Sequence, residues 1–219
     1  MTQINVYEAM STLRAVRRLR PDPIPDEVLH RVLQAAVWAP TGGNKQPWRI
    51  IAVRDPQKRQ ALQQLYQPAW KKFSVAYSKG IESLPDNERE KQQRTLKASD
   101  TLADNFHLSP VILMFFFNPS LMAITDSDLG RPSIVGGGSV YPAVQNTLLA
   151  CRAEGLGCTI TTLLCLREKE VKQLLDIPED WYTCAAVPIG YPVGRGHGPI
   201  TRQSVENMAY LDTWEHDFS

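Results

Sequence analysis

The chain has 219 residues, 43% of them hydrophobic and 21% charged, and its 24 Lys+Arg against 23 Asp+Glu leave a formal net charge of +1. That length suits one domain with a sizeable core, and so even a balance gives no electrostatic footprint for nucleic acid or an anionic membrane surface. The longest apolar run, near Val111–Phe117, is too short to cross a bilayer; Met1-Thr2-Gln3-Ile4-Asn5 has neither the basic nor the apolar region of a leader, so a cytoplasmic protein is expected.

In chain order, Pro25-Asp26-Glu27 opens an amphipathic helix. Val28, Val32 and Ala36 form one apolar row, Leu29, Leu33 and Val37 the adjacent one, and Pro40 is the stop. Acids in its first turn complement the helix dipole. Trp48–Val53 reads as a strand closed by Asp55-Pro56. Lys58 to about Asn105 is charged and broadly helical, with interruptions expected at Pro68, Gly80 and Leu84-Pro85-Asp86. Val111–Phe117 is apolar throughout and needs cover on both faces, which places it centrally in a sheet. Tyr141–Glu154 is a helix apolar almost all round, expected to be buried and capped by Gly155. Thr159–Leu163 reads as a β-like run, Leu166–Asp176 as an amphipathic helix stopped by Pro178, and Trp181–Ile189 as the last core strand. The tail Val193–Ser219 carries little core of its own. There is no repeat and no linker, so helices and a small sheet form one layered domain over 1–219.

Cys151, Cys158, Cys165 and Cys184 form no Cys-x-x-Cys pair and have no neighbouring histidine, so reduced structural thiols are expected rather than a metal site. His30, His107, His197 and His216 show no metal or triad spacing and read as structural or surface residues. Gly136-Gly137-Gly138-Ser139 lacks the Lys-Ser/Thr ending of a P-loop and reads as close packing before the buried helix.

Two segments carry more chemistry. Leu13 to Pro25 contains Arg14, Arg17, Arg18 and Arg20, a grouping that suits a phosphate but on this segment alone reads first as a solvated basic face. Between a helix end and a strand start, Trp38-Ala39-Pro40-Thr41-Gly42-Gly43-Asn44-Lys45-Gln46-Pro47-Trp48 offers a hydroxyl, two glycines and two amides that both donate and accept. A ring with alternating donors and acceptors along one edge, such as a flavin pyrimidine, needs partners of that kind.

These segments resemble the nitroreductase family of FMN enzymes, whose signature runs Arg-Arg-Ser-x-Arg-x-Phe, a proline pair, an amphipathic helix, then Ala-Pro-Ser-x-x-Asn-x-Gln-Pro-Trp. Arg14 and Arg17 match basic positions of the first motif, with Leu13 in place of an arginine, Ala15 in place of the serine and Leu19 in place of the aromatic. Pro40, Thr41, Asn44, Gln46, Pro47 and Trp48 match the second. Gln145–Gly157 is similar to the family's central helix and its Gly-Leu-Gly exit, Thr161-Thr162-Leu163 resembles the flavin-facing stretch of the deiodinase branch, and Ala185–Pro192 resembles the final strand.

The resemblance implies an α+β fold with a central, mostly antiparallel sheet flanked by helices, in an intertwined homodimer whose FMN is touched by both chains. It implies FMN contacts from Arg14, Ala15, Arg17, Pro40, Thr41, Gly42, Asn44, Gln46, Thr161, Thr162, Leu163 and Arg202. Arg14 and Arg202 would hold the phosphate and Arg17 the N1/O2 edge. NADH or NADPH would supply electrons by a ping-pong cycle to a small electron-poor acceptor, a nitroaromatic or quinone, with no protein nucleophile or general base. Reductive dehalogenation, dehydrogenation of a natural product and flavin sequestration without turnover are the alternatives. No motif covers about 67–105. Lys71 and Lys72 there read as a solvated face, whereas Trp70, Phe73 and Tyr77 would meet substrate if the segment is a lid; a hairpin remote from the site is the other reading.

Overall fold

The computed structural model describes residues 4–217, so Met1–Gln3 of the stretch read for a leader and the last two residues of the tail lie outside the described residues. The chain begins with helix α1 (Val6–Thr12), which the sequence reading missed. Its signal was Asn5, whose side chain accepts from the Glu8 N–H at 2.9 Å as an N-cap. Helix α2 (Asp26–Val37) buries Val28, Leu29, Val32 and Ala36, while Val37 at the end of the second apolar row is exposed. Strand β1 (Trp48–Val53) follows as expected.

Helix α3 (Pro56–Glu82) runs without a break through both Pro68 and Gly80, contrary to the interruptions expected there, and helix α4 (Asp86–Asn105) returns beside it. Packing overrides the propensity. Tyr66 stacks on Phe106 with ring centroids 4.4 Å apart, and the Trp70 indole N–H donates to Asp100 at 2.7 Å. Pro68 and Gln64 are both exposed, so water can serve the Gln64 carbonyl that the proline leaves without a helical donor. Leu84-Pro85 alone breaks the hairpin.

Strand β2 (Val111–Phe117) precedes helix α5 (Tyr141–Ala153), the two-residue strand β3 (Gly157–Cys158), helix α6 (Glu168–Leu175) and strand β4 (Tyr182–Gly190). The sheet order is β1-β2-β4-β3 with every pairing antiparallel, so the expected antiparallel sheet flanked by helices is observed. Side-chain alternation along β2 divides the core. Val111, Leu113 and Phe115 face α2 and α5, whereas Ile112, Met114 and Phe116 face the hairpin and α6. A bidentate pair, Arg31 to Glu154 at 2.8 and 2.7 Å, ties α2 to the end of α5.

Two further expectations change. Thr159–Leu163 is not a strand: only Thr161 pairs, exchanging backbone bonds of 2.9 and 2.8 Å with Ala186, and Leu163–Arg167 is a 3-10 turn. Ile160 and Thr162 face outward, where nothing pairs with them, and β-branched residues form strands only against a packed neighbour. That turn also replaces the start of the expected Leu166–Asp176 helix, and Asp176 at φ 54° ends α6 before Pro178. Helix α5 buries Ala143, Val144, Thr147, Leu148 and Cys151 but leaves Tyr141 and Gln145 exposed. All four thiols are free, and Cys151, Cys158 and Cys184 are buried.

Candidate active site

The arginine segment is laid along the sheet edge by main-chain bonds. Val16 N–H donates to Cys158 at 2.8 Å, Arg20 N–H to Tyr191 at 2.7 Å, and Val193 N–H returns to Arg18 at 2.9 Å. Such close passage explains Gly157: a Cβ there would stand 2.7 Å from Val16 Cγ1 and 2.8 Å from Leu19 Cδ2. With Val16 turned into the core, the arginines face outward or along the edge. Arg20 is spent on Asp22 at 3.1 Å and on the Tyr191 ring.

Arg14, Ala15 and Arg202 share a cleft of about 320 Å³, with Leu13, Gln145 and Thr159 on its walls. Its lining holds two guanidinium groups and no carboxylate, which suits a phosphate. Leu13 and Ala15, two of the departures from the family signature, are therefore apolar wall in this same cleft. The Arg14 Nε donates to the Pro199 carbonyl at 2.9 Å, and Nη2 makes a second, short bond to the same oxygen. Arg202 is exposed, and its Nη1 donates to Thr201 O at 2.8 Å.

Arg17 is half-buried and has no ion-pair partner among the described residues. Burial pulls its pKa down, while Tyr66 and Tyr77 of α3 push it up. The Tyr66 phenol is raised by burial, against a hydrogen bond with Thr161 and the charge of Arg17. Arg17, Thr161 and the base of the hairpin thus form one cluster. Tyr66 was not foreseen, because an apolar helical stripe looks the same whether it meets core or cofactor.

The Thr41–Gln46 loop is exposed but internally built. Thr41 Oγ1 accepts from Gln46 N–H at 3.0 Å, Gln46 Nε2 donates to Asn44 Oδ1 at 3.2 Å, and Gly42 N–H donates to Ser139 Oγ at 3.1 Å. Asn44 and Gln46 sit at φ 53° and 49°, in the left-handed region that L-residues disfavour. Strain of that kind concentrates at functional sites. Pro40 is exposed at the loop's start. None of these residues lines the arginine cleft.

Thr162 opens onto a second cavity of about 400 Å³ bounded by Phe117, Met122, Tyr141, Cys165 and Cys184. Burial pushes the Cys184 thiol up to about 12, so it stays protonated at neutral pH. One wall is stapled by buried Asp126, which accepts from Ser133 Oγ, the Ile134 and Val135 N–H groups and Arg131 at 2.7 to 3.3 Å. Those bonds, led by Ser133, hold its carboxyl down to about 2. Leu163 packs against the hairpin-side core.

Trp70 is only 7% exposed, a member of the core, whereas Phe73 is 48% exposed. The half-buried Tyr77 donates its hydroxyl to Gln92 at 2.6 Å. The three rings form a ladder along α3, with centroids 5.9 and 6.0 Å apart.

The chain matches the Nitroreductase family over residues 12–191, which takes in the arginine segment, the Thr41–Gln46 loop, every strand and the Thr161–Leu163 turn. It belongs to the nitroreductase family. A curated relative, the 5,6-dimethylbenzimidazole synthase of Rhodobacter capsulatus, is 31% identical over 210 residues, 95% of this chain and 93% of that one. Among solved structures, iodotyrosine deiodinase bound to FMN and 3-iodo-L-tyrosine superposes with a TM-score of 0.69 at 25% identity, covering 92% of this chain and 96% of that one. The NADPH:FMN oxidoreductase of Vibrio harveyi complexed with NAD+ shares the fold, with a TM-score of 0.66 at 20% identity over 96% of this chain and 78% of that one. Membership makes this chain an oxidoreductase of an FMN-binding fold, and the relatives differ in the reaction they are named for. No described helix is long and apolar enough to cross a membrane.

Proposed function

We propose that this nitroreductase-family protein binds FMN and passes electrons from NADH or NADPH to a small electron-poor acceptor, a nitroaromatic or quinone, as a homodimer. The observation that carries this reading is the arginine cleft, where Arg14 and Arg202 from opposite ends of the chain meet without a carboxylate. FMN supplies the two-electron chemistry when bound, and the protein supplies orientation and electrostatics. Arg202 and the uncommitted Nη1 of Arg14 hold the phosphate. Ala15 and Leu13 give the cleft an apolar wall. Arg17, without an anionic partner, offers fixed positive charge to an electron-rich group lying against Thr161–Leu163. The Asn44 Nδ2 and Gln46 Oε1 groups remain free to read a ring edge, with Pro40, Thr41 and Gly42 setting the loop's shape.

That loop and the cleft are separate in one chain, which supports a site completed by a second copy. Exposed Tyr7, Trp38, Ile134 and Trp214 are the apolar surface such a partner would cover. The test is the absorption spectrum of the purified protein, then anaerobic titration with NADH and with NADPH and turnover with a quinone. A colourless protein that takes up no added FMN overturns the reading, and an FMN-loaded monomer in sedimentation overturns the dimer. The full-length match to a 5,6-dimethylbenzimidazole synthase favours a second reading. Mass spectrometry of the aerobic reaction mixture for 5,6-dimethylbenzimidazole separates the two.

A further inference from the structure

Arg202 makes no side-chain bond to the body of the protein among the described residues, so its place beside the cleft depends on the strap that carries it. That strap is His197–Ile200. Gly198 N–H donates to Thr12 O at 3.0 Å and Ile200 N–H to Ser11 O at 3.3 Å. The Pro199 carbonyl accepts from Arg14 Nε at 2.9 Å. His197 closes the upstream end with both ring nitrogens: Nδ1 lies 3.3 Å from the Arg14 N–H and Nε2 lies 2.8 Å from Leu156 O. Only one form of imidazole satisfies both contacts, with the proton on Nε2 donating to Leu156 and Nδ1 accepting from Arg14.

We propose that His197, as the neutral Nε2–H imidazole, is a positioning residue that latches the C-terminal strap to the arginine segment, so that FMN is held less tightly in mild acid. The proposal rests on the FMN reading above. An imidazolium has two donors and no acceptor, so protonation sets Nδ1–H against the Arg14 N–H and breaks the latch. The charged groups facing the ring are Arg14 of the N-terminal segment and Arg152 of α5, the latter 3.6 Å from Glu8 of α1. Burial first, and then the two arginines, lower the His197 pKa against the raising effect of Leu156 O. The sign follows from that direction: the latch is complete above about pH 6.5, the ordinary histidine value, and is lost as pH falls through the lower folded value.

FMN dissociation constants from about pH 8 to about pH 5 test the proposal in the wild type and in His197→Asn, whose side-chain oxygen replaces the Nδ1 acceptor and does not titrate. FMN's own phosphate ionises near pH 6 and affects both proteins alike. The wild type is expected to lose a further three- to ten-fold, roughly the worth of one hydrogen bond, and His197→Asn is not. Hydrogen exchange at Gly198 and Ile200 in the flavin-free proteins is the second readout: it rises in acid in the wild type relative to His197→Asn. Imidazole nitrogen NMR of the wild type needs no variant and is expected to show the Nε2–H tautomer at neutral pH. Identical pH profiles in the two proteins, or an Nδ1–H tautomer, overturn the latch. Failure to bind FMN at any pH overturns the functional reading instead, and exchange and tautomer then decide the latch by themselves.

Discussion

The arginine segment and the α3–α4 hairpin flank the same cluster, but they are held in different ways. Residues 14–20 are fixed by main-chain bonds to Cys158, Tyr191 and Val193 and by a glycine that lets the chain pass close to β3. The hairpin is fixed by side chains, and mainly at its base, where Tyr66 and Trp70 enter the core. Beyond Trp70 it presents Phe73 and Val75 to solvent, keeps Tyr77 by one bond to Gln92 and buries Ile81 near its tip. Main-chain anchoring tolerates replacement of outward side chains, so the arginines of this segment are not what holds it in place. Side-chain anchoring makes the hairpin's base indispensable and its outer half adjustable.

The largest effect that this contrast predicts is at the base. Trp70→Ala removes a buried indole and leaves Asp100 without its donor, and is expected to cost about 3–5 kcal/mol in denaturant unfolding. A loss under about 1 kcal/mol would show that the hairpin is not anchored there. Arg202→Ala should leave stability nearly unchanged and weaken FMN binding about ten-fold or more, the scale of one charge-assisted phosphate contact. An unchanged dissociation constant would remove Arg202 from the site. Gly157→Ala pushes a Cβ into Val16 and Leu19, and is expected to cost about 1–3 kcal/mol and to weaken FMN binding through the displaced segment. Normal stability and affinity in that variant would mean the segment is less tightly held than its bonds indicate. Asp126 adds a pH test. With its carboxyl held at about 2, its stabilisation is complete above the ordinary aspartate range and is lost as pH falls towards that value. Asp126→Asn should flatten that part of the acid-unfolding profile.

The periodic elements were legible because their burial is one-sided or total: α2, β1, β2, α5 and β4 follow directly from their apolar patterns. The hairpin's continuity through Pro68 was not, since propensity names the proline and only the tertiary contacts of Tyr66 and Trp70 overrule it. Thr159–Leu163 misled for the converse reason: of these β-formers only Thr161 finds a strand to pair with. For the site, the family resemblance named Arg14, Arg17, Asn44 and Gln46, where the arginine grouping by itself left a solvated basic face open. Sequence could not say that Arg14 spends two donors on Pro199, that Tyr66 acts on the charge of Arg17, or that a lone histidine closes the strap. Those facts depend on segments far apart in the chain.

The smallest effect belongs to the outer half of the hairpin, and it decides between a lid and a plain support. Phe73 lies one ring from Trp70 and one from Tyr77, and Tyr77 in turn is near enough to Arg17 to act on its charge. The ladder therefore runs from the core to the cluster where a flavin face would lie, and its middle member is exposed. If the hairpin closes over the acceptor, Phe73→Ala and Tyr77→Phe should each change kcat/KM by a few-fold, about 1 kcal/mol or less, and by different factors for a small quinone and a bulky nitroaromatic. FMN affinity and denaturant midpoint should hold, because neither side chain is among those that fix the base. Trp70 is excluded from this comparison, since its loss would unfold the support along with any lid. Equal small effects on every acceptor would assign the outer hairpin to support alone and leave substrate choice to the second cavity around Thr162, Tyr141 and Cys184.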